Sequence, residues 1–195
     1  MSLDVYALVL AAGLSRRYGR SKLLEELSGT PLLRHALSAA QAACPGKVVL
    51  VTGHASEDIV NAASGLADEI VLNREYRNGI GSSIAKSVSH LTEDAAAVII
   101  MLADQPLVTA AHIGQIIEKW GNDPDAIVAT RFSGLDGPPV LFGERYFGEL
   151  SELTGDAGAK QVLRAHPNAV RTVGFEQAAI DIDTPDDLKA LLSQR

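Results

Sequence analysis

The chain has 195 residues, 47% of them apolar and 21% charged, which fits a single domain over residues 1–195 with a substantial core. A net charge of −7 argues against a nucleic-acid-binding surface, and the longest uncharged apolar run, residues 95–103, is far shorter than the roughly 18 residues of a membrane helix. The lone Cys44 excludes an internal disulfide and a cysteine-rich zinc site. No basic region followed by a signal-like apolar stretch opens the chain, so we expect a cytoplasmic protein with no membrane or nucleic-acid partner.

Strands and helices alternate in the first half of the chain. Apolar runs that are partly β-branched predict buried strands, and apolar residues at helical spacing predict helices. The first predicted strand, "VYALVLAA", stops at a glycine, and a predicted helix begins near Pro31. The other predicted strands here cover residues 47–53 and 69–73, and the other predicted helices cover residues 56–64 and 81–91.

The second half continues the alternation. Its most apolar strand, "AAVIIMLA", ends on Asp104, and the helix that follows is capped by Thr109. The polar stretch 134–139, which contains two prolines, is the predicted place for a lobe or flap. The remaining predicted strands cover 125–132, 139–143 and 169–175, and the remaining predicted helices begin at Asp156 and at Thr184–Pro185.

This alternation predicts a three-layer α/β/α fold with a Rossmann-like, mostly parallel sheet covered by helices on both faces. Ligands of such sheets bind beyond the carboxyl ends of the strands. We therefore expect the functional loops to follow Ala12, Thr52, Asn73, Ala103 and Arg131.

The loop after the first strand, "LAAGLSRRYGRSK", carries four cations between residues 16 and 22 of an otherwise acidic chain. It lacks the glycine that directly precedes Lys-Ser/Thr in a Walker A loop, and it lacks the G-x-G-x-x-G of dinucleotide-binding folds. A small-residue turn at Ala12 and Gly13 lets backbone N–H groups approach an anion, and Arg17 and Lys22 supply positive charge. These features favour a triphosphate site; a solvated basic loop is the alternative.

The loop resembles the L-A-A-G-x-S-x-R-M-G-x-x-K signature of nucleotidyltransferases with a MobA-like fold. The chain is most similar to the molybdenum cofactor cytidylyltransferases and their accessory-protein relatives. Tyr18 replaces the usual methionine. Four more groups of motifs match in order: "NREYRNGIGSSI", "LADQP", "GPPVLF", and "GDAGAK" with "DIDTPDDL". The matching loop residues are Leu10, Ala11, Ala12, Gly13, Ser15, Arg17, Gly19 and Lys22.

Asp104 ends the most buried predicted strand, where a carboxylate would be costly without a cation. The resemblance assigns Mg²⁺ (or Mn²⁺) to Asp104 and to Asp183. Helix capping is the alternative for both: Thr109 already fills that role beside Asp104, whereas Asp183 or Thr184 could cap the last helix.

The resemblance implies that an acceptor phosphate attacks the α-phosphorus of a nucleoside triphosphate and releases pyrophosphate. It implies catalytic roles for Arg17, Lys22 and Asp104. The expected nucleotide-binding residues are Leu10, Ala11, Ala12, Gly13, Ser15, Arg17 and Lys22, with Gly79 and Ser82 against the base. CTP is favoured over GTP, because the chain looks more like the cytidylyl branch.

The implied acceptor is a molybdopterin-type cofactor, and a molybdenum hydroxylase apoenzyme is a candidate partner. Pro138 and Lys160 depart from the histidine and arginine that are usual in that branch, which leaves the acceptor open. GTP, a sugar or alcohol phosphate acceptor, and a non-catalytic cofactor-binding role are the alternatives. The expected acceptor-binding residues are Gly137, Pro139, Asp156 and Lys160.

Overall fold

A computed structural model of the protein describes residues 4–13, 18, 21–53, 56–156 and 158–193. In these ranges the strands are β1 (Asp4–Leu10), β2 (Glu26–Leu27), β3 (Thr30–Pro31), β4 (Val48–Thr52), β5 (Glu69–Leu72), β6 (Ala95–Leu102), β7 (Ile127–Phe132), β8 (Leu135–Gly143) and β9 (Val170–Gly174). The α-helices are α1 (Leu32–Ala43), α2 (Ser56–Ala62), α3 (Ile80–Val88), α4 (Ala110–Trp120), α5 (Phe147–Ser151), α6 (Lys160–Ala165) and α7 (Pro185–Ser193).

Seven strands form one sheet in the order β5-β4-β1-β6-β8-β7-β9, and β2 and β3 form a small separate hairpin. Strand β1 pairs in parallel with both β4 and β6, and β4 pairs in parallel with β5. Only β8 runs against its neighbours β6 and β7. The mostly parallel sheet predicted from the sequence is therefore confirmed.

The two faces of the sheet are covered by different helices. Alternate residues of β1 enter different clusters, with Ala7 and Val9 in one and Tyr6 and Leu8 in the other. The first cluster takes side chains from α1, α2 and α4, and the second takes them from α3, α5 and α6. Both faces of the central strands are thus buried, which explains their continuous apolar runs and confirms the three-layer architecture.

The prediction of a lobe or flap at residues 134–139 is wrong, because residues 135–139 belong to strand β8 and Gly134 belongs to the turn before it. Ser133 and Gly134 both have positive φ, 49° and 73°, which suits the tight turn of a two-residue hairpin. Beyond the turn, Arg131 pairs with Asp136 in the strand register, and its guanidinium donates to both carboxylate oxygens at 2.8 and 2.9 Å. The Ser-Gly pair between two β-rich segments was the signal for this hairpin.

The helix predicted from Asp156 begins later, at Lys160, after a series of turns. Among the described residues, no helix is both long and apolar enough to cross a membrane. A single domain over residues 1–195 stays a prediction.

The reactivity of the Cys44 thiol reports on the packing of the first cluster. Its side chain is buried next to the end of α1, and burial raises the pKa of the thiol to about 11. At pH 8 the native protein should therefore react with a thiol reagent more than about a hundredfold more slowly than the protein unfolded in guanidinium. Native labelling as fast as that of glutathione would contradict this packing.

Candidate active site

The candidate site lies where the strand order reverses, between β1 and β6. The chain leaves β1 towards β4 on one side, while β6 lies on the other side. The last residues of the two strands, Leu10 and Leu102, are paired, and the Ala103 amide donates to the Leu10 carbonyl at 3.2 Å. The segments that follow these strands therefore emerge side by side, which is where open α/β sheets bind ligands.

Lys22 lies at the centre of the site, between two carboxylates from distant parts of the chain. Its Nζ atom donates to Asp104 Oδ2 and to Asp183 Oδ1, each at 2.7 Å. The three side chains are only 12%, 22% and 26% exposed, respectively. Burial alone would lower the pKa of Lys22, but the two carboxylates outweigh it and hold that pKa above its ordinary value.

The local fold leaves the Asp183 carboxylate available to Lys22, because its neighbours cap helix α7. Asp187 Oδ2 accepts hydrogen bonds from the Thr184 amide at 2.7 Å and the Asp183 amide at 3.1 Å, and the Thr184 hydroxyl accepts from the Asp187 amide at 3.3 Å. The Ile182 amide donates to the Asp104 carbonyl at 3.0 Å, which ties this segment to the end of β6. Helix capping thus falls to Thr184 and Asp187.

Asp104 has the geometry of a cation ligand and not of a helix cap. Thr109 caps helix α4 by accepting from the His112 amide at 3.2 Å. Asp104 Oδ1 is buried and has no hydrogen-bond partner in the described part of the chain. The nearby Asp181 is itself partly buried, and burial together with the charges of Asp183 and Asp104 raises its pKa.

The two carboxylates fit a divalent cation that also takes ligands from a substrate. Residues 4–13, 18, 21–53, 56–156 and 158–193 contain no group of three or more His, Cys, Asp or Glu side chains able to hold a metal by themselves. Mg²⁺ is commonly held by one or two carboxylates, with phosphate oxygens and water completing its shell. Asp104 and Asp183 supply that number.

A cleft of about 420 Å³ opens beside Asp104. Ala11, in contrast, is buried in the core, and its amide donates to the Val51 carbonyl at 2.8 Å. Ser15 and Arg17 lie outside the described residues. The predicted site residues that line the cleft are Leu10, Ala12, Gly13, Gly79, Asp104 and Asp156.

Sequence reasoning missed five residues of the cleft: Leu102 at the end of β6, and four residues of one segment. Tyr76 and Arg77 belong to a short 3₁₀ turn after β5, and Ile80 and Ser83 to the start of α3. Tyr76 fits there because Gly53 has no side chain. A Cβ at Gly53 would lie only 2.7 Å from the Tyr76 Cβ and would clash with it. The motif "NREYRNGIGSSI" carried the signal, since it contains all four of these positions.

The structure places Ser82 away from the cleft, in a neighbouring cavity. Its hydroxyl donates to the Gly79 carbonyl at 2.8 Å and to the Glu75 carbonyl at 3.1 Å. The same hydroxyl accepts a hydrogen bond from the side-chain amide of Asn73 at 2.9 Å. Gly79 and Gly81 do allow a close backbone approach, but to another part of the chain. A Cβ at Gly79 would lie 2.3 Å from the Gly155 carbonyl, and one at Gly81 would lie 2.8 Å from the backbone of residue 154.

A second, largely apolar cavity of about 240 Å³ adjoins the cleft. Ile80, Leu102 and Asp156 line both spaces. Three of the four predicted acceptor residues, Gly137, Asp156 and Lys160, line this cavity. The fourth, Pro139, does not: Pro138 lines it instead, while the carbonyl of Pro139 accepts a hydrogen bond from Thr130.

Comparison with known proteins identifies the family. The MobA-like NTP transferase domain matches residues 7–170, most of the chain. The chain belongs to this family. It is therefore a nucleotidyltransferase by family, and family members bind nucleoside triphosphates.

Individual relatives cover nearly the whole chain. The purine catabolism protein PucB of Bacillus subtilis is 28% identical over 189 residues, 91% of each protein. The structure of Rv0371c from Mycobacterium tuberculosis superimposes with a TM-score of 0.85 at 29% identity over 99% of each chain, and a second structure of Rv0371c is a complex with manganese. Molybdopterin-guanine dinucleotide biosynthesis protein A of Archaeoglobus fulgidus, 19% identical over 97% of this chain and 100% of its own, shares the fold at a TM-score of 0.69.

Replacing Lys22 by methionine, in the absence of nucleotide, tests whether the positive charge of Lys22 offsets the repulsion between Asp104 and Asp183. Asp104 and Asp183 would lose their shared cation, so we expect the free energy of unfolding to fall by about 1–3 kcal/mol at neutral pH. Because Mn²⁺ would replace the missing charge, adding it should raise the melting temperature of Lys22→Met more than that of the wild type.

Lys189→Met is the matched control for this experiment. Lys189 pairs with Asp186, but both side chains are highly exposed, so removal should cost less than about 0.5 kcal/mol. Equal melting temperatures for the two variants, with and without Mn²⁺, would contradict the charge balance described for Lys22.

Proposed function

We propose that this protein transfers CMP from CTP to a phosphate of a molybdopterin-type cofactor and releases pyrophosphate. One observation carries the proposal: Lys22 lies 2.7 Å from both Asp104 and Asp183, where the ends of β1 and β6 meet beside the cleft. This arrangement combines a cation for phosphate with carboxylates for a metal, and phosphoryl transfer needs both.

Charge neutralisation and positioning carry the reaction, which needs no nucleophilic side chain. A phosphate oxygen of the acceptor forms the new bond to the α-phosphorus as the bond to the β-phosphate oxygen breaks, and pyrophosphate leaves with that electron pair. Lys22 neutralises charge on the departing phosphates, assisted by Arg17 and the backbone N–H groups of Ala12 and Gly13. Arg77, which lines the cleft, offers a further cation for the phosphates.

Asp104 and Asp183 are the residues that would hold Mg²⁺ or Mn²⁺, and the unpartnered Asp104 Oδ1 supports this assignment. When bound, the metal would polarise the α-phosphate and neutralise its developing charge. A manganese complex of the related Rv0371c supports a requirement for a divalent cation. Lys22 would exchange part of its contact with the carboxylates for contact with phosphate oxygens as the metal and nucleotide enter.

The choice of CTP rests on the resemblance of the motifs to the cytidylyl branch. Gly79 lines the cleft, but the place of its missing side chain is taken by the Gly155 carbonyl and not left open for a base. Hydrogen-bonding groups arranged for one base edge discriminate strongly, because a wrong base leaves them unpaired.

The acceptor and its setting follow from the same resemblance. The apolar cavity next to the cleft offers a flat ring system apolar contacts, with Lys160 and Asp156 as its charged groups. A sugar or alcohol phosphate is the alternative acceptor. The paired Lys22, Asp104 and Asp183 favour catalysis over a purely cofactor-binding accessory role, since a binder needs no metal-ligand pair. A cytoplasmic location and delivery to a molybdenum hydroxylase apoenzyme complete the proposal.

A direct test incubates the protein with molybdenum cofactor and each nucleoside triphosphate, with Mg²⁺ or Mn²⁺, and measures pyrophosphate. We expect kcat/KM for CTP to exceed that for GTP by at least about tenfold. A preference for GTP would overturn the choice of nucleotide, and turnover with glucose 1-phosphate but not with molybdenum cofactor would overturn the acceptor.

Asp104→Asn keeps the size of the side chain but removes the charge that would bind the metal. Pyrophosphate release should fall to background, while the far-ultraviolet circular dichroism spectrum stays that of the wild type. Asp186→Asn, which removes an exposed carboxylate paired only with Lys189 among the described residues, is the control and should retain activity. Turnover by Asp104→Asn at the wild-type rate would refute the metal assignment.

A further inference from the structure

A bulge in β8 forms one wall of the apolar cavity. In the pairing of β7 with β8, Ala129 faces Val140, but the next residue, Thr130, faces Gly137. Pro138 and Pro139 are therefore extra residues of β8, with no opposite partner in β7. Neither proline has an N–H group to donate to the neighbouring strand, so the ladder cannot hold this segment in the usual way.

A buried threonine side chain replaces the missing ladder contact. The Thr130 hydroxyl donates to the Pro139 carbonyl oxygen at 2.8 Å, and Thr130 is completely buried. Behind it, His112 Nε2 lies 2.8 Å from the same hydroxyl oxygen. Because the single hydroxyl proton points to Pro139, the histidine must donate from Nε2, and this fixes its tautomer.

The surroundings of His112 keep the ring neutral and in place. The side chain is 2% exposed, and burial lowers its pKa. Its ring stacks on Phe175, with centroids 4.4 Å apart and planes inclined by 16°. Two buried hydrogen bonds, from His112 to Thr130 and from Thr130 to Pro139, thus join helix α4, strand β7 and the bulge.

The bulge, where these hydrogen bonds end, lies beside the apolar cavity proposed for the acceptor. Gly137, Pro138 and Val140, which surround Pro139 in sequence, all line the apolar cavity. The opposite wall comes from Ala159, Lys160 and neighbouring residues at the start of α6. A displacement of the bulge would change the width of this cavity, whereas neither Pro138 nor Pro139 lines the cleft beside Asp104.

We propose that Thr130 and His112 are positioning residues for the acceptor: their hydrogen-bonded pair holds the Pro138–Pro139 bulge where the acceptor binds. This inference rests on the proposed function only in taking the apolar cavity as the acceptor site. Neither side chain lines that cavity, so both act through the backbone of the bulge.

Thr130→Val removes the hydroxyl at nearly constant shape, and Thr130→Ser restores it. KM should be measured for CTP and for three acceptors in turn: molybdenum cofactor, glucose 1-phosphate and glycerol 3-phosphate. For whichever acceptor the wild type uses, we expect Thr130→Val to raise its KM at least about fivefold and to leave KM for CTP within about twofold. Thr130→Ser should return the acceptor KM towards the wild-type value.

His112 offers an independent pair of variants. His112→Gln keeps a side-chain N–H donor and should resemble Thr130→Ser, whereas His112→Leu lacks it and should resemble Thr130→Val. Hydrogen exchange of the Val140 and Leu141 amides should be faster in Thr130→Val than in Thr130→Ser. This readout needs no turnover.

The outcomes separate the two proposals. If the wild type uses a sugar or alcohol phosphate, and Thr130→Val raises KM for that acceptor but not for CTP, the proposed acceptor is overturned but the positioning role is supported. An equal rise in both KM values, or an unchanged acceptor KM in Thr130→Val, overturns the positioning role and leaves nucleotidyl transfer standing. If the wild type uses none of the three acceptors, both proposals fall.

Discussion

The contact of one ammonium group with two carboxylates organises this protein's candidate active site. Lys22 reaches Asp104 across 82 positions of sequence and Asp183 across 161. It thereby joins the loop after β1, the end of β6 and the segment before α7. Two carboxylates this close would repel each other in a partly buried site, so their shared position depends on a cation. The two carboxylates that Lys22 contacts are also the pair proposed to hold the metal.

The fold brings these three groups together through general features of parallel sheets. Strands β1 and β6 are adjacent and parallel, so the segments that follow them emerge at one edge of the sheet. Helix α7 packs through Leu188 and Leu191 into a small cluster with Tyr18, Leu27 and Ile182, the residue before Asp183. Tyr18, which stands where the resembled signature has methionine, therefore packs in this cluster.

Much of the architecture could be predicted from the sequence, because β1 and β6 are buried on both faces and appear as continuous apolar runs. Residues 139–143 of the reversed strand β8 were predicted as a strand, but residues 135–138 were missed because prolines are typical of loops; here Pro138 and Pro139 form a bulge, and a threonine side chain holds it. The resemblance assigned one metal to Asp104 and Asp183, which implies that these two carboxylates meet. The direct contact of Lys22 with both could not be predicted, since no local pattern encodes contacts so far apart. Pro138 lines the cavity where Pro139 was predicted, and the Ser82 hydroxyl bonds to backbone carbonyls and does not line the cleft. Both differences depend on the direction in which a single group points. Sequence periodicity does not specify that at an irregular turn.

The contact between Gly79–Gly81 and residues 154–156 has a consequence for the chemistry. Main chain meets main chain there, with the Gly81 amide donating to the Gly155 carbonyl at 2.9 Å and no room for a side chain between them. The nucleotide cleft and the apolar cavity share the wall that this contact builds, at Ile80 and Asp156. If the cleft and the cavity hold the two reactants as proposed, this backbone contact sets their separation, which then does not vary with side-chain rotamers. Substrates seated on either side of this wall would meet at a preset distance, so the entropy cost of bringing them together is met largely during folding.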